Sequence, residues 1–228
     1  MPSSSPPIPP NLKSRIETSY NALAPTYQTW KTSHDPLRLK YTQTLLSHLS
    51  PSHPPSRALE LGCGALGPAT SLLLRSHPSL HLTCNDISPT QLELAATEAG
   101  EQGFGAQTTF VRGDMLGLSF AGETFDAVLG FYSLIHLPRD EQTAVVGKVG
   151  EWLKPGGVFV ANFAEREVGG LVEERWLGER EGWMYWSSWG TEKSVRMVEE
   201  AGLEVLVKEV HTDEDGAGFV WVVARKPR

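Results

Sequence analysis

Cysteine is scarce: the 228-residue chain has two, Cys63 and Cys84. They form no C-x-x-C pair and have no histidine cluster at zinc spacing, which argues against a structural zinc or a disulfide frame. Two isolated cysteines fit a reducing, intracellular setting as small buried side chains. Long apolar runs are also missing, and none approaches the ~20 residues of a membrane helix. Basic charge is in deficit, with 20 Lys and Arg against 27 Asp and Glu and a net charge of −7. No basic block is there to grip a nucleic-acid backbone or an anionic membrane surface. The amino terminus lacks the basic and apolar regions of a signal peptide. Met1–Pro10 instead carries five prolines and three serines, and residues 1–11 read as a disordered tail. The default location is cytoplasmic. No internal repeat is visible.

What is present describes a folded enzyme-sized domain. Hydrophobic residues at 40% and charged residues at 21% exclude a wholly disordered or fibrous chain. A chain this long buries roughly 70% of its unfolded surface and needs no staple. Residues 12–228 read as a single domain, with an amino-terminal helical arm over 12–55 and an insertion over 164–190.

The arm begins with Leu12 to Trp30. Asp35-Pro36 then starts a helix, Asp35 as cap and Pro36 at the first position, and Pro51, Pro54 and Pro55 end it. Leu37, Tyr41, Leu45 and Leu49 give it an apolar stripe. From Ala58 strands and helices alternate. Strands are expected at 58–61, 80–85, 108–112, 125–131 and 158–163. Ser88-Pro89-Thr90-Gln91 predicts a helix start with a capping box. Pro138 opens another helix, with Asp140 and Glu141 at its positive end. This alternation implies a parallel sheet covered on both faces. A last strand pair, 203–210 and 219–224, follows a helix over 191–201 and is antiparallel because its connection is short. The fold class is α/β: a doubly wound sheet, mostly parallel with an antiparallel edge. The 164–190 stretch holds four of the seven tryptophans, Trp176, Trp183, Trp186 and Trp189. It reads as a loop-rich segment too apolar to float in water.

Glu60-Leu61-Gly62-Cys63-Gly64-Ala65-Leu66-Gly67 leaves a strand and opens a helix. Glycines there allow a tight turn and close approach of a ligand to the backbone, and the helix start supplies free N–H groups. Asp86 ends the second strand, where a ribose-binding carboxylate belongs. Asp114 ends the third. Each alone can be a solvated cap, but three carboxylates at the carboxyl ends of three consecutive strands converge on one crevice.

These segments resemble the class I S-adenosylmethionine-dependent methyltransferases of small-molecule type. The match is carried by Leu59-Glu-Leu-Gly-Cys-Gly64, Asn85-Asp-Ile-Ser-Pro89, Gly113-Asp-Met115, Phe125-Asp-Ala-Val128, Phe131-Tyr-Ser-Leu-Ile-His-Leu-Pro138 and Leu153-Lys-Pro-Gly-Gly157, with Tyr20 and Tyr27 in an amino-terminal arm. The resemblance implies a Rossmann-like, seven-stranded fold and S-adenosyl-L-methionine as cofactor, with S-adenosyl-L-homocysteine as product. It implies that Gly62, Cys63 and Gly64 carry the backbone under the amino-acid end. Glu60 holds the glycine loop or the methionine amino group. Asp86 accepts the ribose hydroxyls, with Ile87 on the adenine and Gln91 nearby. Asp114 and Met115 meet the adenine edge and ring, Phe131 lines the methionyl arm, and Tyr20 and Tyr27 close over the site. Leu66 departs from the pattern, which has a glycine there.

Methyl transfer from a sulfonium is an in-line displacement. Aromatic faces suit the cation, and Tyr27, Trp30, Phe131 and Tyr132 are the candidates. His136, with Tyr27, is the catalytic candidate; a neutral imidazole takes a proton near pH 7 or orients substrate. Gly130-Phe131-Tyr132-Ser133 is unlike the motif of nucleobase methylating enzymes, and no Asp-Asp-Asn arrangement implies a catalytic metal. Trp183, Tyr185 and Trp186 are read as a cap over a small apolar or aromatic substrate, with a self-packed lid or a dimer contact as alternatives. The expected partner is that small molecule, with no nucleic acid or membrane, for a monomer or homodimer. Two rivals stand: a protein that binds the cofactor but acts as an isomerase, cyclase or binding module, and an NAD-dependent oxidoreductase.

Overall fold

The computed structural model describes residues 8–49, 55–213 and 216–228. The tail reading for residues 1–7 and the helix stop at Pro51 and Pro54 lie outside them. The amino-terminal arm is two helices, α1 (Leu12–Ala22) and α2 (Ala24–Trp30). Pro25 stands in the first turn of α2, where its missing N–H does no harm. Helix α3 (Asp35–His48) follows with Pro36 in its first turn. Asp35 does not cap it as expected. It is the first helical residue, and its carboxylate turns to Arg38 at 3.5 Å, one turn on. Tyr41 and Leu45 on the apolar stripe are fully buried.

Five parallel strands alternate with helices: β1 (Arg57–Leu61), α4 (Pro68–Ser76), β2 (His81–Asp86), α5 (Pro89–Glu101), β3 (Thr108–Arg112), β4 (Phe125–Gly130), α6 (Arg139–Trp152) and β5 (Leu153–Ala164). After α7 (Thr191–Glu200), β8 (Glu204–Thr212) and β9 (Gly218–Arg225) complete a seven-stranded sheet of order β3-β2-β1-β4-β5-β9-β8. Strand β9 runs antiparallel to both its neighbours. Its run Phe-Val-Trp-Val-Val-Ala is buried throughout, as a strand covered on both faces requires. One core packs α3, α4 and α5 on one face of the sheet, and a second packs α6 and α7 on the other. Strand order reverses at β1, which pairs with β2 on one side and β4 on the other. The crevice belongs above their carboxyl ends.

The insertion is more ordered than a loop. β6 (Glu167–Glu173) and β7 (Met184–Trp189) form a separate antiparallel pair. Aromatic side chains suit β7, whereas Gly169 and Gly170 hide β6 from a propensity reading. This pair packs against the arm: Ser19 Oγ donates to the Trp183 carbonyl at 2.6 Å, and the Arg15 guanidinium lies 3.9 Å from the Trp183 ring centre. Arm and strand pair share one apolar cluster. Among the described residues no helix is long and apolar enough to cross a membrane.

Candidate active site

The glycine turn after β1 is pinned amide by amide. Cys63 N–H donates to the Asn85 carbonyl at 2.9 Å. Gly64 N–H donates to Asp86 Oδ2 at 2.8 Å, and Ala65 N–H to Gln91 Oε1 at 3.0 Å. Lys31 Nζ holds the Ala65 carbonyl from the other side at 3.0 Å. The capping box at α5 is therefore only half made. Ser88 Oγ accepts from Gln91 N–H, but Gln91 spends its side chain on the glycine turn and Ser88 N–H goes to Asp86 Oδ1. Gly62 and Gly64 have φ of +65° and +58°, where side chains are strained. Leu66 needs no such conformation; it packs into the sheet core, and Gly67 precedes α4 in extended geometry.

A cleft opens above the turn. Tyr20, Tyr27, Gly62, Gly64, Asp86, Ile87, Gln91, Asp114, Met115, Phe131, Tyr132 and His136 all line it. Cys63 and Glu60 do not. They sit in a hollow behind the turn with Lys31, Arg38 and Thr70. Glu60 does not touch the glycine loop amides; Thr70 Oγ1 donates to its carboxylate at 2.9 Å. Burial raises the Glu60 carboxyl to about 7, against the pull of Thr70, Arg38 and Lys31. Burial also raises Asp86, opposed by the backbone N–H groups of Ser88, Gly64 and Ile87. Asp114 accepts from Leu116 N–H and pairs with Lys13 at 3.3 Å.

A larger chamber adjoins the cleft. Tyr20, Tyr27, Tyr132 and His136 line both spaces and so form the junction. Trp30 and Trp186 line the chamber, as does Trp176, whose ring centre lies 5.4 Å from Trp30 and 5.9 Å from Trp186. Trp183 and Tyr185 do not line it. Side chains alternate along β7, so Tyr185 turns into the arm while Trp186 faces the chamber; Trp183, just before the strand, packs on the arm too. Tyr185 contributes instead through its carbonyl, 2.9 Å from His136 Nδ1. His136 Nε2 lies 2.9 Å from the Tyr20 hydroxyl, and burial lowers the imidazole to about 4. Tyr132 holds a left-handed φ of +54°, anchored by its N–H on Asn162 Oδ1 at 2.7 Å. A non-glycine residue in that region costs about 1–3 kcal/mol and gathers at functional sites.

The sequence reading missed Lys13, Lys31, Arg38, His34, Ser133 and Trp176. Lys13 lies on α1, Lys31 just after α2 and Arg38 on α3, far along the chain from the carboxylates they face, and no local spacing signals them. Trp176 was visible as a tryptophan of the insertion but had no pattern to separate it from Trp183.

The residues present suit a nucleoside carrying an amino-acid arm. Gly62 is a cradle that any Cβ would fill, since one built there comes within 2.5 Å of Ser133 Cβ. Gln91 Nε2, in the cleft wall, has no hydrogen-bond partner among the described residues. A carboxylate at the end of β2, a buried carboxyl beside two cations, and aromatic rings at the junction surround that space.

Comparison with known proteins places this geometry. Residues 58–157, which include Glu60, the glycine turn, Asp86, Asp114 and His136, match the family model of a methyltransferase domain. The sterol 24-C-methyltransferase of Neurospora crassa is 34% identical over 103 residues, covering 45% of this chain and 26% of that protein. The chain thus spans about a quarter of that relative's length. The 1,6-didemethyltoxoflavin-N1-methyltransferase of Burkholderia thailandensis, solved with bound 1,6-didemethyltoxoflavin and S-adenosylhomocysteine, has a TM-score of 0.71 at 17% identity, covering 100% of this chain and 94% of that one. The cyclase SpnF has a TM-score of 0.73 at 19% identity, covering 98% and 99%. With the domain match falling on the glycine turn and the carboxylate-bearing strand ends of this sheet, residues 58–157 are a methyltransferase domain, on the fold of methyltransferase structures that bind S-adenosylhomocysteine.

Proposed function

We propose that the protein transfers a methyl group from S-adenosylmethionine to a small apolar or aromatic molecule. The observation that carries this reading is the meeting of the cleft above the glycine turn and an aromatic chamber at Tyr20, Tyr27, Tyr132 and His136. When bound, the donor supplies an electrophilic methyl on a sulfonium. Asp86 accepts from the ribose hydroxyls while it holds Gly64 N–H. Glu60, with Arg38 and Lys31 in the hollow that adjoins the cleft at Tyr27, Gly62, Gly64 and Phe131, receives the amino-acid end. Ile87, Met115 and Asp114 flank the base. Tyr27 and Phe131 offer π faces to positive charge. The arm and the strand pair roof the junction and keep water from it, so the chain's work is orientation and exclusion of solvent. Trp30, Trp176, Trp186 and Tyr132 hold the acceptor; the sterol relative supports an apolar one. An acidic chain with no basic stripe supports a small-molecule partner over nucleic acid or membrane, in a cytoplasmic monomer or homodimer whose residues 12–228 act as one unit.

Calorimetry with S-adenosylhomocysteine and an acceptor screen read by product mass test this. Methylated product and S-adenosylhomocysteine should form in equal amounts. Absence of nucleoside binding would overturn the reading. The likeness to the cyclase SpnF favours a second one, a donor-binding protein that isomerises or cyclises its substrate. In that case product forms with no donor consumed.

A further inference from the structure

We propose that Tyr20 and His136 form a proton relay for an acceptor bearing an aromatic hydroxyl, with Tyr20 touching the acceptor and His136 receiving the proton. The proposal rests on the methyl-transfer reading above and adds the acceptor class and the route of its proton.

Hydrogen-bond chemistry fixes the direction of the chain. His136 Nδ1 lies 2.9 Å from the Tyr185 carbonyl oxygen. A carbonyl only accepts, so Nδ1 carries the hydrogen. A neutral imidazole has one N–H, which leaves Nε2 with a bare lone pair. The Tyr20 hydroxyl, 2.9 Å away, therefore donates to Nε2. Its oxygen has two lone pairs, so it can take another donor even with the Tyr27 side chain beside it, and Tyr20 lines both the cleft and the chamber. An acceptor O–H in the chamber finds there an oxygen already aimed at a proton sink.

The surroundings keep both members uncharged at rest. Burial, with Lys13 acting in the same direction, holds His136 neutral against the Tyr185 carbonyl. Burial, then Tyr27 and Asp86, keep Tyr20 protonated against the influence of Arg38. No standing phenolate or imidazolium is stored, so the proton moves with the methyl group. The acceptor O–CH3 bond forms as the donor's S–CH3 bond breaks. The acceptor's O–H proton passes to the Tyr20 oxygen, and the Tyr20 proton passes to His136 Nε2. The site gains a positive charge at His136 in the step that removes one from the donor, so its net charge is conserved. That conservation lets so weak a base take the proton. The acceptor class follows from the walls: Trp30, Trp176 and Trp186 offer faces for a flat ring, and a phenol gives up its proton far more readily than an alkanol. A thioether or tertiary amine would leave the relay without a task.

The test uses the full chain, its Tyr20→Phe and His136→Gln variants, and substituted phenols whose own pKa values fall on both sides of the assay pH. Turnover is read at saturating donor. With phenols that arrive protonated, both variants should lose about 10²–10⁴-fold in kcat. With nitrophenols that arrive ionised, most of that loss should be recovered, because no proton remains to be moved. ¹⁵N NMR of the ligand-free protein should show His136 as the neutral Nδ1–H tautomer, with the Nε2 resonance displaced in Tyr20→Phe. Equal losses for ionised and protonated phenols would overturn the relay, as would an Nε2–H tautomer. A wild-type enzyme that binds S-adenosylhomocysteine yet methylates no phenol overturns the acceptor class. Failure to bind S-adenosylhomocysteine overturns the methyl-transfer reading itself.

Discussion

Replacing Gly62 by alanine tests the cradle under the cleft. Gly62 has φ +65°, and a Cβ there would stand 2.5 Å from Ser133 Cβ and 3.6 Å from Met115 Cε. The left-handed conformation alone costs an L-residue roughly 1–2 kcal/mol. Ser133 Cβ is fixed to its own backbone and cannot swing away, so the turn after β1 or the turn after β4 must shift; overpacking of this kind costs about 1–3 kcal/mol. Reduced freedom of the unfolded chain returns about 0.4–1 kcal/mol. The net loss should be roughly 2–4 kcal/mol, a fall in Tm of about 5–15 °C for a domain of this size. S-adenosylhomocysteine affinity should fall too, since the displaced groups line the cleft. Gly147→Ala is the control. It lies within α6, and a Cβ there meets nothing within 4 Å, so the same chemical change should stabilise by about 0.8–1 kcal/mol. Urea unfolding at pH 7 reads both. A Gly62→Ala protein within about 0.5 kcal/mol of wild type, well inside these terms, would refute the cradle.

Asp86→Ala should weaken S-adenosylhomocysteine binding by roughly 1.5–3 kcal/mol, the range for a charged hydrogen bond; calorimetry showing unchanged affinity would remove Asp86 from the site. Trp186→Ala and Trp176→Ala should lower kcat/KM for the acceptor about 10–100-fold, the scale of one lost buried ring, while donor affinity stays near wild type; loss of donor binding with normal acceptor kinetics would move these rings into the cofactor site. The Glu60 carboxyl is raised to about 7 by burial, so its stabilisation is complete below its unfolded value near 4.5 and is lost as pH rises through 7, roughly 3 kcal/mol in all. Glu60→Gln should abolish that decline, and urea midpoints at pH 5 and pH 8 measure it. His136, lowered to about 4, acts in the opposite sense: its stabilisation is present above 6.5 and is lost as pH falls through 4, a slope that His136→Gln should remove.

Much of the frame was legible because it is encoded locally. A Pro and a Ser cap mark the start of α5, and short connections between apolar runs force a parallel sheet, so helix and strand order could be read from neighbours along the chain. Asp86 and Asp114 could be placed in the crevice for the same reason: the strand ends that carry them share one direction. Glu60 stands one step short of this logic. It precedes the turn, yet alternation on β1 and the approach of Thr70 turn it into the hollow behind the turn, not into the cleft.

Periodicity, caps and turn residues act over a few positions, and they were enough for the layered sheet, the site of the glycine turn and the carboxylates at the strand ends. Which partner each polar group meets depended on packing between distant elements. Gln91 leaves its capping box because Ala65 comes within 3.0 Å across the β1–β2 connection. Lys31 and Arg38 reach the hollow because α2 and α3 fold over it. Trp186 faces the chamber and Tyr185 does not because β7 alternates and its pairing with β6 sets the register. His136 meets Tyr20 over a separation of 116 residues. Contacts of that range depend on how whole elements pack, and no spacing along the chain records them.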